Sequence, residues 1–295
     1  MLSLRFFVRR FWKQKGGLLG LTILLIFVAF AVYPPAFAKY DPADPKSYFV
    51  GQALAPPSWS SFFQGSSRTG FYGSLGTDQL GRDVFSQIVY GTQTPVLITF
   101  LSSAASILIG LLIGLLAGYF GGRSDELLMR TADIVLTIPL LPLLIILVSV
   151  NSNYLLDLTV LIVLAWWAWT ARLVRSQVLS TKERAFVDAA RVLGVRNFTI
   201  VRRHILPNVV SLVFATATIG VAYAVITQAS LSFLGLENSA RGSWGTMLFY
   251  ALKFASFSTG AWWLVLPPGI CLSLLVLSVF LVGNAIESVI DQIGT

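Results

Sequence analysis

Few side chains in this sequence could carry out chemistry. There is one histidine, His204, and one cysteine, Cys271, and the cysteine lies within an apolar run. One residue of each type cannot supply the His and Cys ligands of a zinc site, and it cannot form a disulfide within the chain. The sequence also has no Gly-rich phosphate loop ending in Gly-Lys-Ser or Gly-Lys-Thr, so it does not hydrolyse ATP by that route. We therefore expect no catalytic residues and no metal site.

Arg130 and Asp133 are the first candidates for charge chemistry in an apolar setting. They are three positions apart at the start of an apolar stretch, so they can pair across one helical turn. A carboxylate inside a membrane would suggest a proton relay. Because an arginine is close and the position is near the membrane surface, the sequence favours a structural ion pair.

The composition shows which class of protein must position these residues. Of 295 residues, 56% are hydrophobic and 12% are charged, and the mean hydropathy is +0.77. Soluble domains carry about 25% charged residues, so this chain lacks the charge to cover a globule in water. The sequence instead predicts an all-α, polytopic membrane protein with six transmembrane helices. The apolar stretches that predict them are residues 17–33, 96–120, 130–150, 155–171, 208–234 and 262–286.

The lysines and arginines predict the orientation of the chain. Fifteen of the 21 lie in the N-terminal segment and in alternate loops after it, including the long loop 171–207. Because basic residues gather on the cytoplasmic side, both termini should be cytoplasmic, and loops 34–95 and 235–261 should face outwards. The net charge of +8 is then explained by topology and does not indicate nucleic-acid binding.

The first apolar stretch has a second interpretation. A basic start, the apolar run over residues 18–32 and the following Ala36-Phe37-Ala38 also resemble a cleaved signal peptide. Five basic residues spread between Arg5 and Lys15 make a long lead, which favours a helix that is retained.

The long basic loop carries helix signals. Ser180 and Glu183 have the spacing of a capping box, which predicts a helix over residues 184–193. Gly194 suits a helix end that needs positive φ. Apolar residues at i, i+3, i+4 and i+7 spacing would form one face of this helix. They are Phe186, Ala189, Ala190 and Leu193.

A second short helix is predicted over residues 198–206, with Asn197 as its cap and Pro207 as its end. Two short amphipathic helices joined at a glycine could dock on another protein. They could equally lie on a surface of anionic lipid. The residue pattern alone leaves both interpretations open.

Small and hydroxyl-bearing residues mark two further helix faces. Ser106, Gly110, Gly114 and Gly118 recur every four residues, which indicates close helix packing, with a pore lining as the alternative. In the fifth span a stripe of hydroxyl and small residues should meet protein or water. It is our candidate for a translocation path or a subunit interface. The stripe consists of Thr216, Gly220, Tyr223, Thr227 and Ser230.

The residue pattern of the basic loop resembles a known sequence signature. Asp188-Ala189-Ala190, Gly194 and His204-Ile205-Leu206-Pro207 resemble the Glu-Ala-Ala…Gly…Ile-x-Leu-Pro signature of ABC importer permeases. In that family the first short helix is a coupling helix, seated in a groove of the ATP-binding subunit. The resemblance implies a coupling role for Phe186, Asp188, Ala189, Ala190, Gly194, Leu206 and Pro207, and packing rather than chemistry for His204.

Further segments narrow the resemblance to the C-type permeases of dipeptide, oligopeptide and nickel importers. These segments are Gly76–Ser86, Ser230–Leu236 and Ser243–Leu248. The family usually has basic residues where this chain has Gln87 and Gln93, so oligosaccharides or nickel remain alternatives to a peptide substrate.

The resemblance implies a machine with a second homologous permease, two ATP-binding subunits and an extracytoplasmic solute-binding protein. It is expected in the plasma membrane of a prokaryote, in contact with lipid. ATP and magnesium would belong to the ATPases, so this chain would bind no cofactor. We expect an N-terminal segment over 1–95 and a permease core over 96–291. Two rivals lack support in the sequence: an ion-driven transporter would show inverted repeats or several buried carboxylates, and a membrane enzyme would show clustered ligands.

Overall fold

The computed structural model describes residues 9–47, 51–57, 74–139, 142–143, 145–146, 154–237, 241–254 and 258–294. In these residues the regular elements are helices. We number the α-helices in chain order. They are α1 (Lys15–Val32), α2 (Val84–Tyr90), α3 (Gln93–Phe120), α4 (Gly122–Thr137), α5 (Tyr154–Lys182), α6 (Ala185–Val192), α7 (Asn197–Ile200), α8 (Leu206–Phe233), α9 (Trp244–Lys253) and α10 (Leu266–Gly294).

The described part of the chain contains five helical segments long and apolar enough to cross a membrane. They are Lys15–Val32, Val84–Phe120, Leu158–Lys182, Asn197–Phe233 and Trp262–Ile290. The polytopic all-α prediction is confirmed, but the count of six is not. The predicted third span, 130–150, begins within α4, which ends at Thr137, and most of its remainder lies outside the described residues.

The predicted ladder of small residues packs α3 against α5. A Cβ added at Gly114 would lie 2.6 Å from the Cβ of Val174, and one at Gly110 would lie 2.5 Å from the Cβ of Thr170. Ser106 is fully buried. The absence of side chains lets the two backbones approach closely, so these residues serve packing, as predicted.

Two other glycines join the first and last helices. A Cβ at Gly17 would lie 2.5 Å from the Cβ of Ala285, and one at Gly20 would lie 2.7 Å from the backbone oxygen of Ser278. Helix α1 is therefore packed into the bundle along α10. Helix α8 lies between the other long helices and contacts α3, α5 and α10.

Candidate functional site

The most distinctive part of the bundle surface is a helical elbow over residues 185–205, which joins α5 to α8. Its first helix, α6, nearly matches the predicted range. The predicted capping box is wrong, because α5 continues to Lys182 and so contains Ser180. Arg184 is the N-cap of α6, and no side chain caps it. Helix α5 therefore continues beyond the apolar part of the preceding span and includes basic residues up to Lys182.

Gly194 ends α6 in the predicted way. Its φ is +73°, and no atom lies within 4 Å of a Cβ placed there. The amide of Val195 donates to the carbonyl of Ala190 over 3.1 Å, and the amide of Gly194 donates to that of Arg191 over 2.9 Å. These two bonds make a Schellman motif, which satisfies the last carbonyls of the helix.

The second helix of the elbow does not stop at Pro207. Helix α7 runs into a π-helical turn, Val201–Ile205, and then directly into α8. Proline lacks an amide proton and so cannot continue an ordinary helical ladder. The π turn accommodates it, and the side-chain amide of Asn208 donates to the carbonyl of His204 over 2.7 Å. The elbow is thus continuous with the long helix α8.

One face of the elbow is fixed to the bundle. Val187 and Ala190 on α6 are buried, and they pack in one apolar cluster with residues of α3, α5 and α8. Ala190 therefore does not share the outward face that the spacing predicted. The hydroxyl of Tyr119 donates to Oδ1 of Asn197 over 2.8 Å, which ties the end of α3 to α7.

The opposite face of the elbow is apolar and exposed. Phe186 is 40% exposed and Leu193 is 81% exposed. Ala189 is also exposed, and Asp188 forms an exposed pair with Arg191 over 3.2 Å. The ring of His204 lies 6.1 Å from that of Phe186, so the histidine supports this face by packing. An exposed phenylalanine on a helix that is held from behind is a feature of a docking surface.

Ion pairs across the helices hold this end of the bundle. Arg175 on α5 forms two bonds with the carboxylate of Asp125 on α4, one of them 2.6 Å long. The arginine hydrogen bond lowers the pKa of Asp125, against the opposing effect of burial. The ammonium of Lys182 donates to the carbonyl of Gly118 over 3.0 Å. The pair of Asp125 and Arg175 was not predicted from the sequence, because the two residues are 50 positions apart and share no local pattern.

The predicted pair of Arg130 and Asp133 does not form. Asp133 pairs with Arg172 on α5, and Arg130 pairs with Glu126 over 3.3 Å. Asp133 faces α5, whereas Arg130 is directed to the exposed side of α4, where Glu126 is one turn earlier. Asp133 therefore does form an ion pair between side chains, but its partner is Arg172 and not Arg130.

Two members of the hydroxyl stripe on α8, Gly220 and Tyr223, face α5 of the same chain. Gly220 lies against the indole of Trp166, and Tyr223 stacks on that ring at 4.7 Å. Thr216 and Thr227 are buried. The prediction that this face meets protein or water is confirmed for protein, but these contacts are internal. Ser230 differs, because it lines an apolar groove of about 610 Å³ between α8, α9 and α10.

The end of the bundle opposite the elbow holds a polar network around residues 74–94, 235–237 and 241–246. Asp78 anchors the first segment: its carboxylate accepts the backbone amides of Leu80 and Arg82, each over 2.9 Å. It also accepts the guanidinium of Arg82 over 2.7 Å and the amide of Gln87 over 3.0 Å. Gln87, where the resemblance suggested a basic residue, thus still bonds to this carboxylate.

A second clamp at this end joins distant loops. Arg241 pairs with Asp41 over 2.9 Å and also donates to Oε1 of Gln93 over 3.1 Å. The pKa of Asp41 is lowered, because the bonds from Arg241 and from an amide outweigh the effect of burial. The pair of Asp41 and Arg241 was not predicted from the sequence, because the two residues are 200 positions apart.

The comparisons with known proteins agree with this architecture. Residues 110–292 match the family described as "binding-protein-dependent transport system inner membrane component". Residues 4–57 match the "N-terminal TM domain of oligopeptide transport permease C". The first match covers more than half of the chain and includes the whole elbow.

Curated relatives align along nearly the full length. The oligopeptide transport system permease protein OppC of Bacillus subtilis is 32% identical over 96% of this chain and 87% of its own length. The di/tripeptide transport system permease protein DppC of Pseudomonas aeruginosa is 34% identical over 96% of this chain and 91% of its own length.

A solved structure shows the same fold. An inward-facing conformation of the MetNI methionine ABC transporter contains a chain that matches with a TM-score of 0.55 and 20% identity. The match covers 70% of this chain and 95% of that one. The structural match agrees in fold, and the sequence matches place the present chain in the family of binding-protein-dependent transport system inner membrane components, as a permease subunit of an ABC importer.

Proposed function

We propose that this permease passes di- and oligopeptides, delivered by an extracytoplasmic solute-binding protein, across the plasma membrane of a prokaryote. The support for the substrate class is that relatives along the whole chain are named as peptide permeases. The chain itself would be non-catalytic and would bind no cofactor. Two ATP-binding subunits would hydrolyse ATP with magnesium, and a second homologous permease would complete the membrane part.

The observation that carries the proposal is the two-sided elbow. Its inner face is fixed to α3, α5 and α8, while Phe186 and Leu193 are exposed on the other side. A partner that moves the exposed face must therefore move the helices behind it. We propose that the ATP-binding subunit docks here, and that its closure shifts the bundle from one access state to the other.

Substitutions on the exposed face test docking. Phe186→Ala removes an aromatic anchor, which costs about 2 kcal/mol or more at an interface. Asp188→Arg reverses a charge that can pair with a basic group on a protein partner. We expect each to release the ATP-binding subunits during purification in detergent. Phe37→Ala is the matched control, because Phe37 has the same 40% exposure but lies outside the elbow.

The alternative cover for this face is anionic lipid. A lipid-bound helix should tolerate Phe186→Leu, and it should weaken when arginines are removed. If the ATP-binding subunits stay bound to both elbow variants, and ATP hydrolysis stays coupled to transport, the docking proposal is wrong and lipid contact is the better explanation.

The proposed orientation places the elbow and both termini in the cytoplasm. Single cysteines at Lys46 and Leu193, introduced after Cys271→Ser, would report on the two ends of the bundle, since both positions are exposed. In sealed cells an impermeant thiol reagent should label position 46 only. Labelling of position 193 alone would show that the proposed orientation is inverted.

The substrate class needs its own experiment. We expect the cognate binding protein, titrated with peptide, oligosaccharide and nickel libraries, to bind peptides. Uptake by vesicles that contain the full complex should then be inhibited by the same peptides. Binding of sugar or nickel alone would reject the peptide assignment and leave the permease assignment intact.

We further propose that the exposed side of α8 meets the second permease, with the translocation path between the two chains. Ser230 is the member of the predicted stripe that remains accessible at the groove. Ser230→Cys should form a cross-link to the second permease with a short bifunctional reagent. If Ser230→Cys forms cross-links to lipid only, Ser230 does not lie at the interface between the two permeases.

A further inference from the structure

The end of the bundle opposite the elbow encloses a small polar pocket of about 180 Å³. Its wall includes Asp78, Arg82, Glu237, Arg241 and Tyr250. Glu237 follows the end of α8 by four positions and precedes α9, so it lies on the short connection between these two helices. The transport mechanism proposed above does not use this residue.

Glu237 is surrounded by hydroxyl groups. Its Oε2 accepts a bond from the hydroxyl of Ser243, and the hydroxyls of Ser232 and Thr94 lie beside its carboxyl group. Its Oε1 is fully enclosed by protein and has no donor among the described residues. The three hydroxyls come from the α8 end, the α9 cap and the start of α3, so this carboxyl group joins three elements.

Gln228, one turn before Ser232 on α8, shares two of these hydroxyls. It is fully buried, and its amide nitrogen donates to the hydroxyl of Ser232 over 2.9 Å and to that of Ser243 over 3.3 Å. Its Oε1 also has no donor among the described residues. Two enclosed carbonyl-type oxygens in one cluster therefore lack a hydrogen-bond donor in the part of the chain that the structure describes, which is unfavourable in a buried site.

The number of hydroxyl protons in the cluster also indicates that a donor is missing. The hydroxyl of Ser232 has one proton, and it donates this proton to the backbone carbonyl of Gln228 over 3.0 Å. A hydroxyl can donate to only one acceptor at a time. One more proton in the cluster would supply the missing donor.

The neighbouring cations do not neutralise Glu237. In the described residues Arg82 pairs with Asp78 over 2.7 Å, and Arg241 pairs with Asp41 over 2.9 Å. Neither arginine lies within ion-pair distance of Glu237. The remaining titratable groups around the pocket are the phenols of Tyr250 and, beyond Arg241, Tyr90. An ionised Glu237 would be a partly buried charge with no counter-charge among the described residues.

We propose that Glu237 is a proton-binding site, and that in this conformation it is a neutral carboxylic acid whose proton lies within the cluster of Thr94, Gln228, Ser232 and Ser243. A metal ion or an ammonium group cannot reach the enclosed Oε1, so a proton is the ligand that fits this oxygen. Release of the proton would place an uncompensated charge on the connection between α8 and α9 and loosen its attachment to α3. This inference does not depend on the substrate proposed above.

The dependence of stability on pH has a definite sign. Burial raises the pKa of Glu237, although its hydroxyl bonds act in the opposite direction. A carboxyl group whose pKa is raised by folding stabilises the fold in its protonated form. Its contribution is present below the pKa of the unfolded chain and is lost as the pH rises through the pKa of the folded protein.

The test compares thermal unfolding midpoints of the full complex between about pH 5 and about pH 9. Glu237→Gln is isosteric with the neutral acid and cannot ionise. We expect the midpoint of the unmodified protein to fall by about 2–4 °C more than that of Glu237→Gln as the pH rises. Asp44→Asn, at an exposed position, is the matched control and should keep the wild-type pH profile. Equal pH profiles for the unmodified protein and Glu237→Gln would overturn the proposal.

A second measurement does not depend on how the variant folds. In a detergent without carbonyl groups, infrared spectra of the unmodified protein should show a carboxylic-acid band that persists above the pH at which the surface acids ionise and disappears as the pH rises further. The shifted carboxylates Asp41 and Asp125 have lowered pKa values and do not contribute such a band. Absence of such a band at every pH above the range where surface acids protonate would also overturn the proposal.

Discussion

The positive φ of Gly194 leads to a specific prediction about the coupling of ATP hydrolysis to transport. Gly194→Val forces a β-branched residue into a left-handed backbone conformation, at φ +73°. That conformation costs an ordinary residue about 1–2 kcal/mol relative to glycine. Because no atom lies within 4 Å of the added Cβ, the cost comes from the backbone and not from a packing clash.

The elbow can avoid this strain only by leaving its present shape. If Gly194 adopts negative φ, the two bonds of the Schellman motif break, and α6 changes its direction relative to α7. A change of about 1–2 kcal/mol corresponds to about a 5- to 30-fold change in the population of the present elbow. Docking of the ATP-binding subunit should weaken by a similar factor, since it requires that shape.

The assay is reconstituted transport together with ATP hydrolysis stimulated by the binding protein. We expect Gly194→Val to insert into the membrane at normal levels, but to lose most coupled transport. Gly194→Asn should be milder, because asparagine tolerates left-handed φ better than valine. Gly269→Val is the matched control: it adds the same side chain where nothing lies within 4 Å of the Cβ and φ is not positive. Wild-type coupling in Gly194→Val would refute the reasoning.

Two further predictions concern stability. Gly114→Ala places a Cβ 2.6 Å from that of Val174, whereas carbon atoms prefer about 3.5–4.0 Å, so α3 and α5 must separate by about 1 Å. We expect a loss of about 1–3 kcal/mol, measured by unfolding in detergent, and a loss below about 0.5 kcal/mol would show that the ladder is not close-packed. Asp125→Asn breaks the pair with Arg175, which is 34% exposed, and should cost about 1–2 kcal/mol at neutral pH. Because folding lowers the pKa of Asp125, this difference should begin to shrink as the pH falls below about 4 and should be lost as the pH falls through the lowered pKa of the folded protein; a difference that grows on acidification would contradict the assigned sign.

The sequence predicted those features that depend on local periodicity. Long apolar runs specify membrane helices because no other open structure satisfies the backbone in lipid. Glycine repeats at four-residue spacing specify one helix face, and Gly110 and Gly114 lie on the face that meets α5. Gly194 was predicted to have positive φ because a short helix needs such a residue at its end. Each of these inferences uses neighbours within a few turns of the chain.

The helix boundaries near the elbow were predicted less well, for a physical reason. Ser180 has the local pattern of a cap, but packing of α5 against α3 and α4 keeps it inside a longer helix. Pro207 has the local pattern of a stop, but a π turn absorbs the missing amide and the helix continues. In both cases tertiary packing of a long helix outweighs a capping preference of about 1 kcal/mol.

Pairings between distant residues were decided by the tertiary structure alone. The chain offers 21 basic and 13 acidic residues, and the sequence by itself cannot select among their combinations. Asp133 had a suitable arginine one turn away, yet it pairs with Arg172, because the crossing of α4 and α5 brings that guanidinium to its face. The same holds for Glu237: its place after an apolar span was visible in the sequence, but the hydroxyls around it come from three helices that only the fold brings together.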